Sequence, residues 1–313
     1  MSSEILVIGS LNMDLVVQTV RLPRSGETLA GSEFHIIPGG KGANQAVAAR
    51  RSGANTHMIG CVGDDTFGEI MLESLRNANV DVKGVSILNG ISTGTATIIV
   101  EEGGENRIII VPGANGRVTY DLVEQKWDLI SRSDLVILQH EIPLSTIHRS
   151  IKNCQQKHIP ILLNPAPMYP IPMDILTSLD TLVVNESEAA ALTGNSIDGL
   201  DTAKEAARDI YQSGVKTVII TLGQNGAILL EGKGFIYHPG FKVSTVDTTA
   251  AGDTFVGGYA ASITEGKSTT EALEYACAAS AISVTRLGAQ TSIPTKDEVE
   301  KFLQAHRQQT EII

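Results

Sequence analysis

Short apolar runs, each closed by a turn residue and followed by a stretch of helical periodicity, recur along most of this chain and constrain its fold more than any other feature. Residues 5–9, 135–138, 161–163, 182–184 and 217–222 are such runs. They are too short for helices and too uniformly apolar for half-exposed strands, so they read as strands buried on both faces. Helical patterns follow or separate them. Residues 66–79 place Phe67, Ile70, Met71, Leu75 and Ala78 on one face, with Thr66 and Glu69 spaced as a capping box. Ile147, Ile151 and Cys154 line a helix that begins near Pro143, and further helices follow Asn185 and span about 202–213. The last third reads as largely helical, with capping boxes at Ser268/Glu271 and Thr295/Glu298. This alternation predicts an α/β fold, a doubly wound, mostly parallel sheet flanked by helices.

One region breaks the rhythm. Residues 95–100 and 107–111 are β-rich and joined by Glu101-Glu102-Gly103-Gly104-Glu105-Asn106, a hairpin signature. Residues 15–20 and 33–37 also read as strands with no helix between them. The expectation is a single α/β domain over residues 1–313 carrying a small β-sheet built from two insertions, about 14–38 and 94–112. Such a sheet suits a lid over the carboxyl ends of the parallel strands, where ligands bind in folds of this type, or a dimer contact, or both.

The formal net charge of −11 excludes a general nucleic-acid binder, which would present a basic face. It leaves room for an anionic nucleotide held by a few local donors. No secretory leader is read at the N-terminus and no run approaches the roughly 18 apolar residues needed to span a bilayer. Cys61, Cys154 and Cys277 are far apart and have no zinc-like spacing, which fits reduced thiols in a cytoplasmic protein. The seven histidines form no zinc-enzyme pattern.

Chemistry concentrates in two motifs. In Asp247-Thr248-Thr249-Ala250-Ala251-Gly252-Asp253-Thr254-Phe255, small residues precede a helical pattern. A helix beginning near Gly252 leaves backbone N–H groups unsatisfied, and Ala250, Ala251 and Gly252 let an anion approach them. That makes an anion hole for a transferring phosphoryl group. Asp253 beside it suits a general base; an isolated Asp there would read as an N-cap, but the small residues around it favour the base. In Pro38-Gly39-Gly40-Lys41-Gly42-Ala43-Asn44, glycines around a lysine allow close backbone approach to a ligand or simply a hinge, and Asn44 can both donate to and accept from a sugar hydroxyl pair. Asn12 and Asp14 past the first strand, and Glu141 past another, suit vicinal hydroxyls, though such residues are also common in turns. Asn185 and Glu188 read either as a helix cap or as groups organising Mg²⁺ around phosphates. Thr221-Leu222-Gly223-Gln224-Asn225-Gly226 closes a strand with a glycine-rich turn suited to a nucleotide. Neither a dinucleotide fingerprint after residue 9 nor a true P-loop at Gly266-Lys267-Ser268 is present.

Residues 39–49 (GGKGANQAVAA) and 247–255 (DTTAAGDTF), with Gly9-Ser10-Leu11-Asn12-Met13-Asp14 and the Asn185/Glu188 pair, resemble the signatures of the ribokinase/PfkB sugar kinases. The resemblance covers essentially the whole chain. It implies ATP-dependent phosphorylation of D-ribose at its primary hydroxyl, with Asp253 as base and Ala250, Ala251 and Gly252 as anion hole. Asn12, Asp14, Gly40, Lys41, Gly42, Ala43, Asn44 and Glu141 would hold the sugar. Asn185, Thr221, Leu222, Gly223, Gln224, Asn225, Gly226, Gly252 and Asp253 would hold ATP, and Glu188 would support Mg²⁺. The same resemblance implies a monovalent cation such as K⁺ at Asp247, Thr249, Ser283, Arg286, Gly288 and Ser292, and a homodimer through the lid sheet. Many relatives have glycine where this chain has Ala250.

Overall fold

The structure, a computed structural model, describes residues 3–103, 106–232 and 234–310. Four apolar residues after Glu4 open the main sheet as β1 (Glu4–Ile8), and β2 (Asn12–Thr19) and β3 (Glu33–Gly39) leave it for a second sheet. The chain returns through α1 (Lys41–Arg51), β4 (Asn55–Gly63), α2 (Thr66–Asn77) and β5 (Asp81–Leu88). A second excursion gives β6 (Gly94–Glu101) and β7 (Asn106–Val111). Then follow α3 (Tyr120–Glu124), α4 (Trp127–Ser131), β8 (Leu135–Gln139), α5 (Leu144–Gln156), β9 (Ile161–Asn164), α6 (Met173–Leu176), β10 (Thr181–Asn185), α7 (Glu186–Thr193), α8 (Leu200–Gln212) and β11 (Thr217–Thr221). The chain closes with β12 (Ala227–Glu231), β13 (Gly234–His238), α9 (Ala251–Thr264), α10 (Thr269–Ser283) and α11 (Lys296–Thr310).

The main sheet has nine strands in the order β13-β12-β11-β10-β9-β8-β1-β4-β5. It is parallel from β5 to β11 and antiparallel at β12 and β13. The chain builds outward from β1 through β4 and β5, then reverses to β8 on the other side of β1. That reversal opens a crevice at the carboxyl end of β1, the place where doubly wound sheets bind ligands. Alternate side chains of β1 serve opposite faces. Ile5 and Val7 join the core shared with α1, α2, α9 and α10, and Leu6 and Ile8 join the core shared with α5 and α8. The expected α/β architecture is therefore present, as is the small sheet, with strand order β3-β2-β6-β7.

Several local expectations are corrected. The cap of α2 is Asp65, one residue before the expected Thr66/Glu69 box; one oxygen of its carboxylate accepts from the Gly68 N–H (2.8 Å) and Thr93 Oγ1 (2.6 Å) and the other from the Thr93 N–H (2.8 Å), a two-oxygen arrangement that a single hydroxyl does not supply. Pro143 is the N-cap of α5, at the start of the helix as expected. Asn12 and Asp14 lie within β2, so they belong to the small sheet. The last third is less helical than expected, because the β12–β13 hairpin completes the main sheet. The boxes at Ser268/Glu271 and Thr295/Glu298 are both formed. Gly104 and Glu105 of the hairpin connection lie outside the described residues, as does the start of the N-terminus. No described helix is long and apolar enough to cross a membrane.

Candidate active site

Asp253 stands where two helices meet. It lies in the first turn of α9, nearly buried, and α1 lies against it. Asn44 Nδ2 donates to Asp253 Oδ2 at 3.0 Å, and Gln45 Nε2 donates to Oδ1 at 2.9 Å. The helix N-terminus is sharply defined. Ala250, the N-cap, is left-handed (φ 58°, ψ 12°), a conformation that strains any residue with a Cβ. Ala251 N–H donates to Thr248 O (3.2 Å) and Thr254 N–H to Ala250 O (2.8 Å). Between them, the N–H groups of Gly252 and Asp253 find no protein acceptor among the described residues. Of the expected Ala250, Ala251 and Gly252, the Ala251 N–H is thus occupied and the Gly252 N–H is free, with the Asp253 N–H beside it. A Cβ added at Gly252 would meet nothing within 4 Å, so it would project into open space. The first turn of a 14-residue helix therefore offers two free N–H groups and the positive end of its dipole to an anion.

On one side of Asp253 the glycine motif and the small sheet bring together a cluster of polar groups. Gly40 has φ 88° and carries the chain into α1 so tightly that a Cβ there would lie 2.6 Å from Asn12 N. A Cβ at Gly39 would strike the Asp14 carboxylate at 2.2 Å. Glu141 Oε2 accepts from Ser10 Oγ (2.5 Å) and from Lys41 N–H (3.1 Å), and Ser10 Oγ accepts from Gly42 N–H (3.2 Å). Asn12 Oδ1 accepts from Asn115 Nδ2 (2.7 Å), which also bonds the carbonyl of Leu11 (3.0 Å). Asn12, Asp14, Gly40, Lys41, Gly42, Ala43, Asn44 and Glu141 are thus gathered around one carboxylate, Asp253.

Charge is dense here. Burial, then the charges of Glu141 and Asp253, push Asp14 up to about 7 against the opposing pull of Lys41. Burial likewise raises Glu141, with Lys41 and Ser10 opposing. Burial alone would lower the Lys41 ammonium, but Asp253, Glu141, Glu188 and Asp14 together hold it above its ordinary value. An acid raised in the folded state destabilises that state as pH climbs from its unfolded value toward its folded one, here from about 4 to about 7. Asp14→Asn removes this penalty. Its thermal unfolding temperature should rise relative to the parent chain as pH increases from 4 to 7, with the gap constant above pH 8. A gap independent of pH would exclude the Asp14 titration as its source.

On the other side is a 240 Å³ pocket lined by Lys41, Asn164, Asn185, Glu188, Thr221 and residues 250–253. It shares Thr221, Thr248, Ala251 and Gly252 with a 730 Å³ cleft lined by Gly223, Gln224, Asn225, Gly226, Phe241, Phe255 and Cys277, among others. The larger cleft has an apolar wall and a glycine-rich rim, as an aromatic base and its sugar require. Leu222 is the exception in its motif, because it is buried in the core beneath the turn. Asn185 and Glu188 form a full capping box on α7: Asn185 Oδ1 accepts from Glu188 N–H (2.8 Å) and Glu188 Oε2 from Asn185 N–H (2.9 Å). Capping and pocket lining coexist here. Burial raises Glu188, and its second oxygen suits a water-bridged Mg²⁺.

The residues expected around a monovalent cation are only partly joined. Asp247 accepts from Thr249 N–H (2.9 Å), Thr249 Oγ1 (2.6 Å) and Gly288 N–H (2.9 Å). Those three bonds leave about one of the carboxylate's four lone-pair sites for a cation. The hydroxyls of Ser283 and Ser292 donate to the carbonyls of Ser280 and Ala289, and Arg286 is turned to Glu298 (2.6 Å). Arg286 could serve a cation only through its carbonyl oxygen, whereas Ser283 and Ser292 keep hydroxyl lone pairs besides their carbonyls.

Gln45, Gln139, Asn164, Ser10 and Asn115 were not among the expected site residues. Gln139 and Asn164 are the last residues of β8 and β9 and face each other in register. A polar residue closing an otherwise apolar strand was the available signal, and it was read only at Asn185. Asn115 carries no such mark.

A carboxylate poised at a helix N-terminus, between a cluster of amides and carboxylates suited to hydroxyl groups and a cleft for a large planar group, is the site of a phosphotransferase that acts on an alcohol. Residues 2–296 match the pfkB family carbohydrate kinase. The chain is 43% identical over 307 residues to the ribokinase of Schizosaccharomyces pombe, covering 95% of this chain and 96% of that one. It is 39% identical over 305 residues to the ribokinase of Haemophilus influenzae, covering 97% and 99%. The structure of Arabidopsis thaliana ribokinase complexed with ribose and ATP superposes with a TM-score of 0.91 at 34% identity, covering 97% of this chain and 99% of that one. The chain belongs to the pfkB family of carbohydrate kinases.

Proposed function

We propose that this chain transfers the γ-phosphoryl group of MgATP to the primary hydroxyl of D-ribose, with Asp253 as general base. The observation that carries this reading is the position of Asp253 in the wall of the 240 Å³ pocket, bonded to Asn44 on its other side and beside the free N–H groups of the α9 N-terminus. Ribose is the acceptor favoured by the likeness to two ribokinases and to one bound to ribose and ATP.

In this reading Asn12, Asp14, Asn44 and Glu141, with the backbone from Gly40 to Ala43, hold the sugar hydroxyls and turn the primary one toward Asp253. Asp253 accepts the hydroxyl proton as the oxygen attacks. The Gly252 and Asp253 N–H groups and the Lys41 ammonium stabilise the negative charge of the transferring group. Thr221, Gly223, Gln224, Asn225 and Gly226 hold the nucleotide in the larger cleft, while Leu222 only supports the turn, and Asn185 lines the phosphate end. Mg²⁺, supported by Glu188 through water, would neutralise the phosphates. A monovalent cation such as K⁺, held by Asp247 and the carbonyls near Thr249, Ser283, Arg286, Gly288 and Ser292, would reinforce the positive field at the α9 N-terminus. The small sheet is the lid, and it keeps water, the competing acceptor, from the phosphate. It also exposes Phe34, Ile36, Ile108, Ile109, Ile110 and Val111 at 46–63%, an apolar surface that a second copy would cover in a cytoplasmic homodimer. A purely monomeric sedimentation profile at micromolar concentration would remove the dimer from this reading.

The test is ADP release from MgATP with ribose, deoxyribose, fructose and adenosine, each with K⁺ and with a bulky organic cation. The expected result is a K⁺-stimulated signal that is strongest with ribose. Turnover confined to another acceptor would overturn the sugar assignment. Equal rates in both cations would remove the cation site, and silence with every acceptor would overturn the catalytic reading.

A further inference from the structure

Two fully buried glutamines stand behind the Asp253 carboxylate in a directed chain. Gln45 and Gln139 each have 0% exposure, and neither lines the 240 Å³ pocket or the 730 Å³ cleft. Gln139 Nε2 donates to Gln45 Oε1 at 2.6 Å, and Gln45 Nε2 divides its two protons between Asp253 Oδ1 (2.9 Å) and Asn164 Oδ1 (3.1 Å). Asn164 is fixed in turn by its Nδ2 bond to the Val183 carbonyl (3.0 Å).

The direction of this chain follows from chemistry. An ionised carboxylate only accepts, so Gln45 must present its NH₂ group to Asp253. Its carbonyl oxygen then faces backward, and Gln139 must present NH₂ to it. The far oxygen, Gln139 Oε1, is left with no partner, and a Cβ at Gly9 would collide with it at 2.1 Å. Burying a row of amides that ends in an unsatisfied oxygen is unfavourable for folding alone. The row converges on one atom, Asp253 Oδ1. With Asn44 Nδ2 on Oδ2 and Gln45 Nε2 on Oδ1, donors hold both oxygens and fix the plane of the carboxylate.

We propose that Gln45, oriented by Gln139 and Asn164, is the positioning residue for Asp253: it touches no substrate and acts by aiming the carboxylate. This rests on the reading of Asp253 as the base. Gln45→Met keeps length and volume but removes the donor. It should lower kcat for ribose phosphorylation by roughly 10- to 100-fold, the scale of a misaligned reacting group, with KM for ribose changed by less than about twofold. Gln139→Met should lower kcat by a smaller factor, and the double variant should be no worse than Gln45→Met, because Gln139 acts only through Gln45. If Gln45→Met does not fold, Gln139→Met carries the test through the same split between kcat and KM. An unchanged kcat in the folded variants, a raised KM with kcat retained, or losses that multiply in the double variant would each overturn the proposal. Asp253→Asn, assayed alongside, separates the two ideas: an active Asp253→Asn removes the base itself, whereas an inactive one beside a normal Gln45→Met removes only the positioning role.

Discussion

Replacing Asp253 by asparagine should lower kcat by at least roughly 100-fold, about 2.7 kcal/mol of transition-state stabilisation, the lower end of what a general base contributes. Nucleotide affinity should be nearly unchanged. The substitution is close to isosteric, and an amide oxygen can still accept from Gln45 Nε2 as the carboxylate does at 2.9 Å. The free N–H groups at Gly252 and residue 253 belong to the backbone and survive. What is lost is the acceptor for the hydroxyl proton, and with it one of the four carboxylates that hold Lys41 charged. Steady-state kinetics with ribose, together with calorimetric titration of nucleotide, measures both quantities. Near-normal turnover in a folded variant would take the base role from Asp253, and a parallel collapse of nucleotide binding would point to a disturbed helix terminus.

How much of this could be read from sequence depended on whether the physics was local. Strands such as 135–138 and 182–184 announce themselves because burial on both faces demands unbroken apolar runs. The Ser268/Glu271 and Thr295/Glu298 boxes are three-residue relationships and were legible for the same reason. The α2 cap was misplaced because what selects Asp65 over Thr66 is a bond to Thr93, 28 residues away. The hairpin of β12 and β13 hid in a stretch where Ala227–Glu231 could equally be a buried helical turn. At the site, glycines and small residues flagged Gly40 and residues 250–252, since close approach requires small residues. Gln45 and Gln139 left no such trace: they are 94 positions apart and meet only because β8 and α1 converge on Asp253.

That convergence depends on one missing methyl group, and Gly257→Ala should show it. Gly257 lies one helical turn beyond Asp253 on α9, against α1. A Cβ there would sit 2.4 Å from Ala48 Cβ, 2.6 Å from Ala49 N and 2.8 Å from Gln45 O. Carbon atoms pack best at about 3.5 Å or more, and two of the three obstructing atoms are backbone that cannot rotate away. The helices must part, at an expected cost of about 1–3 kcal/mol, or a Tm lower by roughly 2–5 °C. The penalty should not stop at stability. Asn44 and Gln45 ride on α1 and Asp253 on α9, so separating the helices stretches the 3.0 and 2.9 Å bonds that hold the carboxylate. A misplacement near 1 Å can cost about 100-fold in rate, so kcat should fall more than the loss of folded protein accounts for. Gly258→Ala is the control. Its Cβ would meet Ala279 and Tyr275 at 3.5 Å, an ordinary contact, and alanine favours the helix over glycine by up to about 1 kcal/mol. Thermal unfolding and kcat measured on both variants decide the matter. If Gly257→Ala and Gly258→Ala behave alike, the close approach of α1 to α9 is not what sets the geometry at Asp253; if only Gly257→Ala loses both stability and turnover, the packing of two helices and the alignment of the base are one structural fact.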